Sequence, residues 1–204
     1  MDISEPVGLD VDGPLYPVHT ALADMVGKET TLSHWNFYKE WGMQEDEFDE
    51  LYTDAILNHD LFLRYPISYS VNSTIGLLKT MGYQIILCTV RGVGLPPKVE
   101  EAAQSQTIQW LQENKVPYDE IVFSTNKNDA NSFCFFDDNV QNYEALERAQ
   151  RSIPWLYTLP YNESHGGRRV HSFRSIPGAV VWSAKHRRDK NNHGGRPVRK
   201  EFLV

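Results

Sequence analysis

The segment Gly8-Leu9-Asp10-Val11-Asp12-Gly13-Pro14-Leu15 decides how the rest of this sequence is interpreted, because two aspartates directly follow a short apolar run. The run over residues 7–9 predicts a buried strand. Residues at i and i+2 of an extended chain share a face, and neighbouring carboxylates resist joint ionisation unless a cation lies between them. Taken alone, the segment is equally compatible with an ordinary turn or a helix cap.

A second pair of acidic residues follows another apolar run, in the segment Phe135-Phe136-Asp137-Asp138-Asn139. If the strands before the two aspartate pairs are neighbours in a parallel sheet, four carboxylates meet in one crevice. Oxygen ligands of this kind favour Mg²⁺ over zinc. The two segments together therefore predict a metal site at the carboxyl edge of a sheet.

Short continuous apolar runs alternate with segments of helical spacing along most of the chain. Such runs are typical of strands that are covered on both faces, as in a parallel sheet. The alternation predicts an α/β fold with a doubly wound, Rossmann-like parallel sheet in three layers. The predicted further strands are 85–88, 121–123, 133–136 and 155–159, and the predicted helices are 72–81, 98–114 and 140–151.

The long connection between the first two predicted strands favours a separate helical unit. Residues 18–66 contain no strand-like run, an aromatic-rich stretch and an acidic amphipathic stretch. We therefore expect a helical cap at 18–66, inserted into an α/β core formed by residues 1–17 and 67–184.

Residues 185–204 read as a basic tail, which we expect to be flexible. This tail holds seven of the 20 basic residues and two of the 27 acidic ones, so the rest of the chain carries a net charge of −12. Such an acidic body disfavours broad nucleic-acid binding, and the tail is the one segment suited to it.

Two further strand ends carry groups that can hold an anion. Thr89, with the backbone amide of Val90, follows the predicted strand 85–88, and Lys127 follows the predicted strand 121–123. A hydroxyl and free amides at a strand end form an anion cradle, and a lysine there neutralises phosphate or carboxylate charge. Each residue alone would be an ordinary surface residue, but both lie in order between the two aspartate pairs.

In this order, the motifs Asp10-Val11-Asp12-Gly13, Thr89, Lys127 and Asp137-Asp138 resemble those of the haloacid dehalogenase-like (HAD) phosphohydrolases. The resemblance spans residues 7–140, and the place of the cap matches the C1 type of that family. The segments IILCTVRG, IVFSTNKND and FFDDNVQN, with Pro160-Tyr161-Asn162, look like the 5'(3')-deoxyribonucleotidase branch.

The resemblance implies a magnesium-dependent phosphomonoesterase that acts through an aspartyl phosphate, most simply a nucleotidase. Asp10 would be the nucleophile and Asp12 the general acid and base. Thr89, Val90 and Lys127 would bind the phosphoryl group. The implied magnesium ligands are Asp10, the backbone carbonyl of Asp12, Asp137 and Asp138, with the direct ligand of the last pair left open.

Substrate selection in such a protein would come from the cap and its borders. Aromatic side chains there could stack on a base, or could form the cap's own small core. The two arginines could contact phosphate or base, or could pair with the acidic cap. The candidates are Trp35, Phe37, Tyr38, Trp41, Phe62, Arg64 and Arg91.

Other functions stay open at this point. A HAD phosphatase could instead act on a sugar phosphate, on phosphoglycolate or on a nucleic-acid end, which would give the basic tail a purpose. Pro14 departs from the family pattern and lacks an N–H, which leaves an inactive HAD-like binding module as a further reading. The sequence contains no Gly-Lys-Ser/Thr, Gly-x-Ser-x-Gly or His-Glu-x-x-His motif, so P-loop, serine-hydrolase and zinc-protease chemistry are disfavoured.

The setting of the protein is predicted from its cysteines and its lack of targeting signals. Cys88 and Cys134 each lie in an apolar run, so we expect buried reduced thiols in a cytoplasmic protein. The sequence contains no apolar run long enough to predict a membrane-spanning helix. The expected partner is a small phosphomonoester, and a homodimer is left open.

Overall fold

A single sheet of six parallel strands forms the centre of the molecule in a computed structural model, which describes residues 5–192 and side chains as far as residue 188. The strands are β1 (Pro6–Leu9), β2 (Gln84–Thr89), β3 (Glu120–Phe123), β4 (Cys134–Asp137), β5 (Ile153–Tyr157) and β6 (Arg169–Val170). Their order across the sheet is β3-β2-β1-β4-β5-β6, and every neighbouring pair is parallel. This confirms the predicted α/β fold.

The central strands are buried because their residues are almost all apolar, and both faces of the sheet are covered. β1 and β4 are direct neighbours, with Leu9 paired to Phe136, as the two aspartate motifs required. The fifth strand lies two residues earlier than predicted, because the chain turns into a short 3-10 helix at Pro160–Asn162. β6 was not predicted, since a two-residue strand carries no periodic signal.

Helices α3 (Tyr69–Thr80), α4 (Pro97–Glu113) and α5 (Val140–Ala149) lie close to their predicted positions. The side chain of Asn139 accepts hydrogen bonds from the first amides of α5, which fixes where this helix begins. A last helix, α6 (Ile176–Asn192), corrects the prediction of a tail from residue 185, because residues 185–192 are helical. The remainder of that tail, 193–204, lies outside the described residues.

Residues 18–66, the predicted cap, contain helical elements and no strand. We call this segment the helical insert. Its elements are α1 (Val18–Val26), a 3-10 helix (Phe37–Trp41), α2 (Glu45–His59) and a second 3-10 helix (Leu61–Leu63). Glu47 accepts a hydrogen bond from the backbone amide of Gln44 at 2.8 Å, which stabilises the start of α2.

Cys88 and Cys134 are buried and form no disulfide, as predicted. Burial raises the pKa of the Cys88 thiol to about 11, so this thiol stays protonated at neutral pH. Within residues 5–192, none of the helices has both the length and the apolar character needed to cross a bilayer.

Candidate active site

Three carboxylates converge where β1 and β4 end. Asp10 follows β1, Asp137 is the last residue of β4, and Asp138 comes next. Because the two strands are adjacent and parallel, one oxygen of each carboxylate lies within 4.8 Å of the others. All three side chains are buried. The side chain of Asp12 does not belong to this group, so the predicted fourth carboxylate faces elsewhere.

Lys127 supplies positive charge to the carboxylate cluster. It begins the 3-10 helix Lys127–Ala130 after β3, and its Nζ lies 2.8 Å from Oδ1 of Asp10 and 3.9 Å from Oδ2 of Asp137. Burial lowers the pKa of Lys127, but its attraction to Asp10 and Asp137 outweighs burial and leaves that pKa raised. Lys127 is therefore a permanently charged group in this crevice.

The carboxyl groups of the cluster hold their protons more tightly than usual. Burial raises the pKa of Asp10 to about 7, although Lys127 opposes the shift. Burial, followed by repulsion from Asp137 and Asp10, raises the pKa of Asp138 well above its ordinary value. A bound cation would stabilise the ionised form of these closely packed carboxyl groups and so lower their pKa values.

Asp137 and Asp138 differ in how their oxygens are used. Both oxygens of Asp137 accept hydrogen bonds, from the Asn139 amide at 2.8 Å and from Nδ2 of Asn142 at 3.0 Å. In Asp138, Oδ2 accepts a hydrogen bond from the Tyr161 hydroxyl, while Oδ1 is buried without any partner. A buried carboxylate oxygen without a partner is costly, so Oδ1 of Asp138 is suited to a cation.

Asp12 is paired with Arg91 instead of joining the cluster. Nε of Arg91 lies 3.0 Å from each carboxylate oxygen of Asp12, and its Nη2 lies 2.6 Å from Oδ1. The guanidinium is completely buried, whereas Asp12 keeps part of its surface open to the cavity. Arg91 was a candidate for contact with the substrate or for pairing with the acidic cap, but in the structure it pairs with Asp12 and does not line the cavity.

A cavity of about 360 Å³ lies between the carboxylate cluster and the helical insert. Asp10, Asp12, Asp138 and Lys127 form its polar end, and aromatic side chains form much of the remainder. Among the described residues that line it, Lys127 is the only lysine or arginine. The aromatic and histidine side chains are His19, Trp35, Phe37, Tyr38, Phe48, Tyr52 and Tyr161.

The predicted phosphate-binding residues divide into two groups. Val90 and Lys127 line the cavity, and Thr125 does so too, although it was not predicted. Thr89 is fully buried below the cavity, and its hydroxyl accepts a hydrogen bond from the backbone amide of Arg91 at 3.3 Å. Thr89 therefore shapes the loop after β2 in this structure and does not line the cavity.

The predicted substrate contacts also divide. Trp35 and Phe37 line the cavity, as does Tyr38. Trp41 does not, since it packs against Phe37 and donates a hydrogen bond to the carbonyl of Glu29. The other candidates outside the cavity are Phe62, which is completely buried, and Arg64, which is exposed.

His19 and Tyr52 are two cavity residues that the sequence analysis did not single out. Burial lowers the pKa of His19, so this imidazole is neutral at pH 7. Burial raises the pKa of Tyr52, so its hydroxyl stays protonated. Neither residue belongs to a motif, and only the fold of the helical insert brings them opposite Asp12. Tyr161, by contrast, belongs to the Pro-Tyr-Asn element that the resemblance had already pointed out.

No protein-family model and no curated protein matches this chain. Solved structures do match it, among them a HAD-superfamily hydrolase from Geobacter sulfurreducens, with 14% identity, a TM-score of 0.54 and coverage of 86% of this chain and 99% of that one. A β-phosphoglucomutase from Clostridium difficile matches with 13% identity, a TM-score of 0.53 and coverage of 91% and 99%. A D,D-heptose 1,7-bisphosphate phosphatase from Burkholderia thailandensis matches with 14% identity, a TM-score of 0.52 and coverage of 87% and 99%.

At such low identity, this likeness concerns the fold. The chain has the α/β fold of the HAD-superfamily hydrolases, as its four motifs predicted. The deoxyribonucleotidase branch and the C1 type of cap stay predictions.

Proposed function

We propose that this protein is a magnesium-dependent phosphomonoesterase that forms an aspartyl phosphate on Asp10, with nucleoside monophosphates as substrates, as in a 5'(3')-deoxyribonucleotidase. One observation carries the proposal. Asp10 is a buried carboxylate that contacts Lys127, adjoins Asp137 and Asp138, and lines a cavity that Asp12 also lines.

The donor set of the cluster is suited to Mg²⁺. Three carboxylates supply hard oxygen ligands, and the unpartnered Oδ1 of Asp138 is the oxygen best placed to be a direct ligand. Asp10 and Asp138 would hold the ion, with Asp137 beside them. The ion would keep Asp10 ionised and offset negative charge on the phosphoryl oxygens.

The chain's own residues account for the two chemical steps. Oδ1 of Asp10 accepts hydrogen bonds from Lys127 and from the Val11 amide, so Oδ2 is the oxygen we assign to attack on phosphorus. Asp12 must enter the first step in its protonated form, and the bond from phosphorus to the leaving oxygen breaks as Asp12 donates this proton to that oxygen. Asp12 then takes a proton from water, whose oxygen attacks the aspartyl phosphate and releases inorganic phosphate and Asp10. Throughout, Lys127 offsets charge on the phosphoryl group.

The form of the cavity supports a nucleoside monophosphate as substrate. Its volume lies within the usual range for a small organic ligand, and its aromatic side chains suit a flat, uncharged base. Lys127 is already engaged by Asp10, and the described residues of the lining include no other lysine or arginine for a second phosphate. A monophosphate is therefore favoured over a bisphosphate.

Pro14 does not argue against activity in this geometry. The turn after Asp12 is closed by hydrogen bonds from the Gly13 amide to the Tyr16 carbonyl at 2.8 Å and from the Leu15 and Tyr16 amides to the Val11 carbonyl. None of these bonds needs an N–H at residue 14, and Pro14 lies outside the cavity lining. The reading of an inactive binding module loses its main support.

The test is phosphate release from a panel of 5'- and 3'-nucleoside monophosphates, sugar phosphates, phosphoglycolate and a 3'-phosphorylated oligonucleotide. Each substrate is run with Mg²⁺ and with EDTA, and beside Asp10→Asn, which keeps the shape of the side chain. We expect magnesium-dependent turnover of nucleoside monophosphates that Asp10→Asn abolishes. Turnover confined to another substrate would refute the nucleotidase assignment, and no turnover by folded protein would refute the phosphatase.

A further inference from the structure

Residues 28–36 form a loop between α1 and the 3-10 helix Phe37–Trp41, and we call it the Trp35 loop. Glu40 of this 3-10 helix is exposed, and both oxygens of its carboxylate accept hydrogen bonds from the loop. Oε2 accepts one from the backbone amide of Thr31 at 2.8 Å, and Oε1 accepts one from the amide of Ser33 at 3.0 Å. The hydroxyls of the loop add three more bonds, from Thr30, Thr31 and Ser33 at 3.2, 3.2 and 2.9 Å. One side chain therefore holds the loop at two points of its backbone.

The bonds to Glu40 are charge-assisted, which makes them stronger than bonds between neutral groups. The Thr31 amide makes the largest contribution to lowering the pKa of Glu40, to about 2, so this carboxylate is ionised at neutral pH. Among the described residues, the polar groups that contact Glu40 all belong to the Trp35 loop. Trp41 closes the same loop one residue further on, because its Nε1 donates a hydrogen bond to the carbonyl of Glu29 at 3.0 Å.

The backbone of the Trp35 loop depends on such contacts. Leu32 lies between Thr31 and Ser33, its side chain is buried, and its φ is +53°. Few residues other than glycine adopt this left-handed region, and a backbone persists there where neighbouring contacts fix it. Glu40 binds the amides on both sides of Leu32, so we attribute the conformation of the loop to Glu40.

Trp35 is the side chain by which the loop reaches the cavity. It lies two residues after Ser33, lines the cavity, and contacts the ring of Tyr161 edge-on at 5.4 Å between centres. Trp35 is 53% exposed, so packing alone does not fix the place of its ring. The bonds that Glu40 accepts therefore decide where the Trp35 ring is presented.

We propose that Glu40 is a positioning residue that sets the affinity of the site for the base of its substrate, because it orders the loop that presents Trp35 to the cavity. This inference rests on the proposed function. Glu40 does not line the cavity, so it acts through Trp35. A loop that is ordered before the substrate arrives loses less conformational entropy on binding, which raises affinity.

The consequence is confined to one end of the cavity. Loss of Glu40 should raise KM for a nucleoside monophosphate and leave kcat nearly unchanged, because the carboxylate cluster and Lys127 are not in contact with the Trp35 loop. Inorganic phosphate has no base. Its inhibition constant as a competitor should therefore be the same with and without Glu40.

The experiment compares Glu40→Ala and Glu40→Gln with wild type. We expect KM for nucleoside monophosphates to rise roughly three- to tenfold in Glu40→Ala, up to the effect of losing the stacked ring itself. Glu40→Gln places an amide nitrogen among the donors of the loop and should raise KM in the same direction. Glu47→Ala is the matched control, since Glu47 is another exposed glutamate of the helical insert that accepts a backbone amide bond and lies outside the cavity lining. It should leave KM unchanged.

A double variant tests whether Glu40 acts through Trp35. If it does, Glu40→Ala combined with Trp35→Ala should have the KM of Trp35→Ala alone, because the loop then has no ring to present. Hydrogen exchange of the Thr31 and Ser33 amides supplies a readout that needs no activity. In Glu40→Ala these amides should exchange on the order of tenfold faster than in wild type, and in Glu47→Ala they should not.

The possible results separate this inference from the proposed function. An unchanged KM in Glu40→Ala, an equal rise in Glu47→Ala, a weaker inhibition by phosphate, or a further rise in the double variant would each overturn the positioning role while the phosphatase stands. Wild type that turns over no nucleoside monophosphate would refute the proposed substrate and this inference with it, whatever the exchange rates of the two amides.

Discussion

Nζ of Lys127 lies 2.8 Å from Oδ1 of Asp10, although 117 residues separate the two in the sequence. Both groups are buried, and the carbonyl of Cys88 accepts a further hydrogen bond from the same nitrogen at 2.8 Å. A buried ion pair of this kind links strands β1, β2 and the turn after β3 at one point. The charges of the candidate site therefore contribute to the stability of the fold.

Lys127→Met should therefore destabilise the protein far more than the loss of an exposed ion pair. Removing one partner of a buried pair costs roughly 3–5 kcal/mol. The matched control is Lys79→Met, which breaks a partly exposed pair with Asp119 and should cost about 0–1 kcal/mol. Urea denaturation in EDTA measures both, and equal losses would contradict the buried pairing.

Magnesium should stabilise the protein more at higher pH. The pKa of Asp10 is raised to about 7 in the folded state, so the folded protein holds a proton that the unfolded chain has released. The stability of the metal-free protein therefore falls as pH rises from the ordinary carboxyl pKa of 3.8 toward about 7. Bound Mg²⁺ replaces that proton and removes the loss.

Thermal denaturation with Mg²⁺ and with EDTA, between about pH 5 and pH 8, measures this difference. The gain in melting temperature on adding Mg²⁺ should grow across that interval by several degrees. In Asp138→Asn the gain should be small at every pH, because the group that carries the unpartnered oxygen loses its negative charge. A gain in wild type that does not change with pH would count against the metal assignment.

Gly13→Ala should disturb the carboxylate cluster by a steric clash, in addition to straining the backbone at residue 13. Gly13 has a φ of +85°, and a methyl group there would lie 2.2 Å from Oδ2 of Asp138. Gly42→Ala provides the control, since Gly42 has a φ of +77° with open space around it. Both variants carry backbone strain of roughly 1 kcal/mol, but only Gly13→Ala should also abolish stabilisation by Mg²⁺ and phosphatase activity. If the two variants lose Mg²⁺ stabilisation and activity to the same extent, the close contact between residue 13 and Asp138 is not important for the site.

Trp35→Ala should weaken substrate binding with little effect on folding. Trp35 is 53% exposed, lines the cavity and contacts the Tyr161 ring at 5.4 Å between centres. Loss of one stacked base contact is worth roughly 1–3 kcal/mol, so KM for nucleoside monophosphates should rise about tenfold or more. Tyr69→Ala, at a ring that is 86% exposed and outside the cavity, should leave KM unchanged. An unchanged KM in Trp35→Ala would show that the base of the substrate does not stack on Trp35.

The sequence could predict the sheet edge because its signals are local. Each motif of the candidate site lies at or shortly after the end of an apolar run, and the carboxyl ends of parallel strands lie at one edge. The positions of Asp10, Lys127, Asp137 and Asp138 follow from that rule. The last helix was missed because residues 176–192 lack a strong amphipathic pattern, and the basic residues from 185 onward resemble a tail.

The fold class, the approximate positions of most elements and the types of side chain at the strand ends could be predicted from the sequence alone. The partners of Asp12 and the lining of the cavity became known only from the folded structure. Arg91, Phe62 and Tyr16 meet through packing between the helical insert and the core, and no local pattern encodes contacts over such separations. The aromatic residues of the insert look the same in the sequence whether they pack against one another or line the cavity. Only the fold shows which of these side chains are buried.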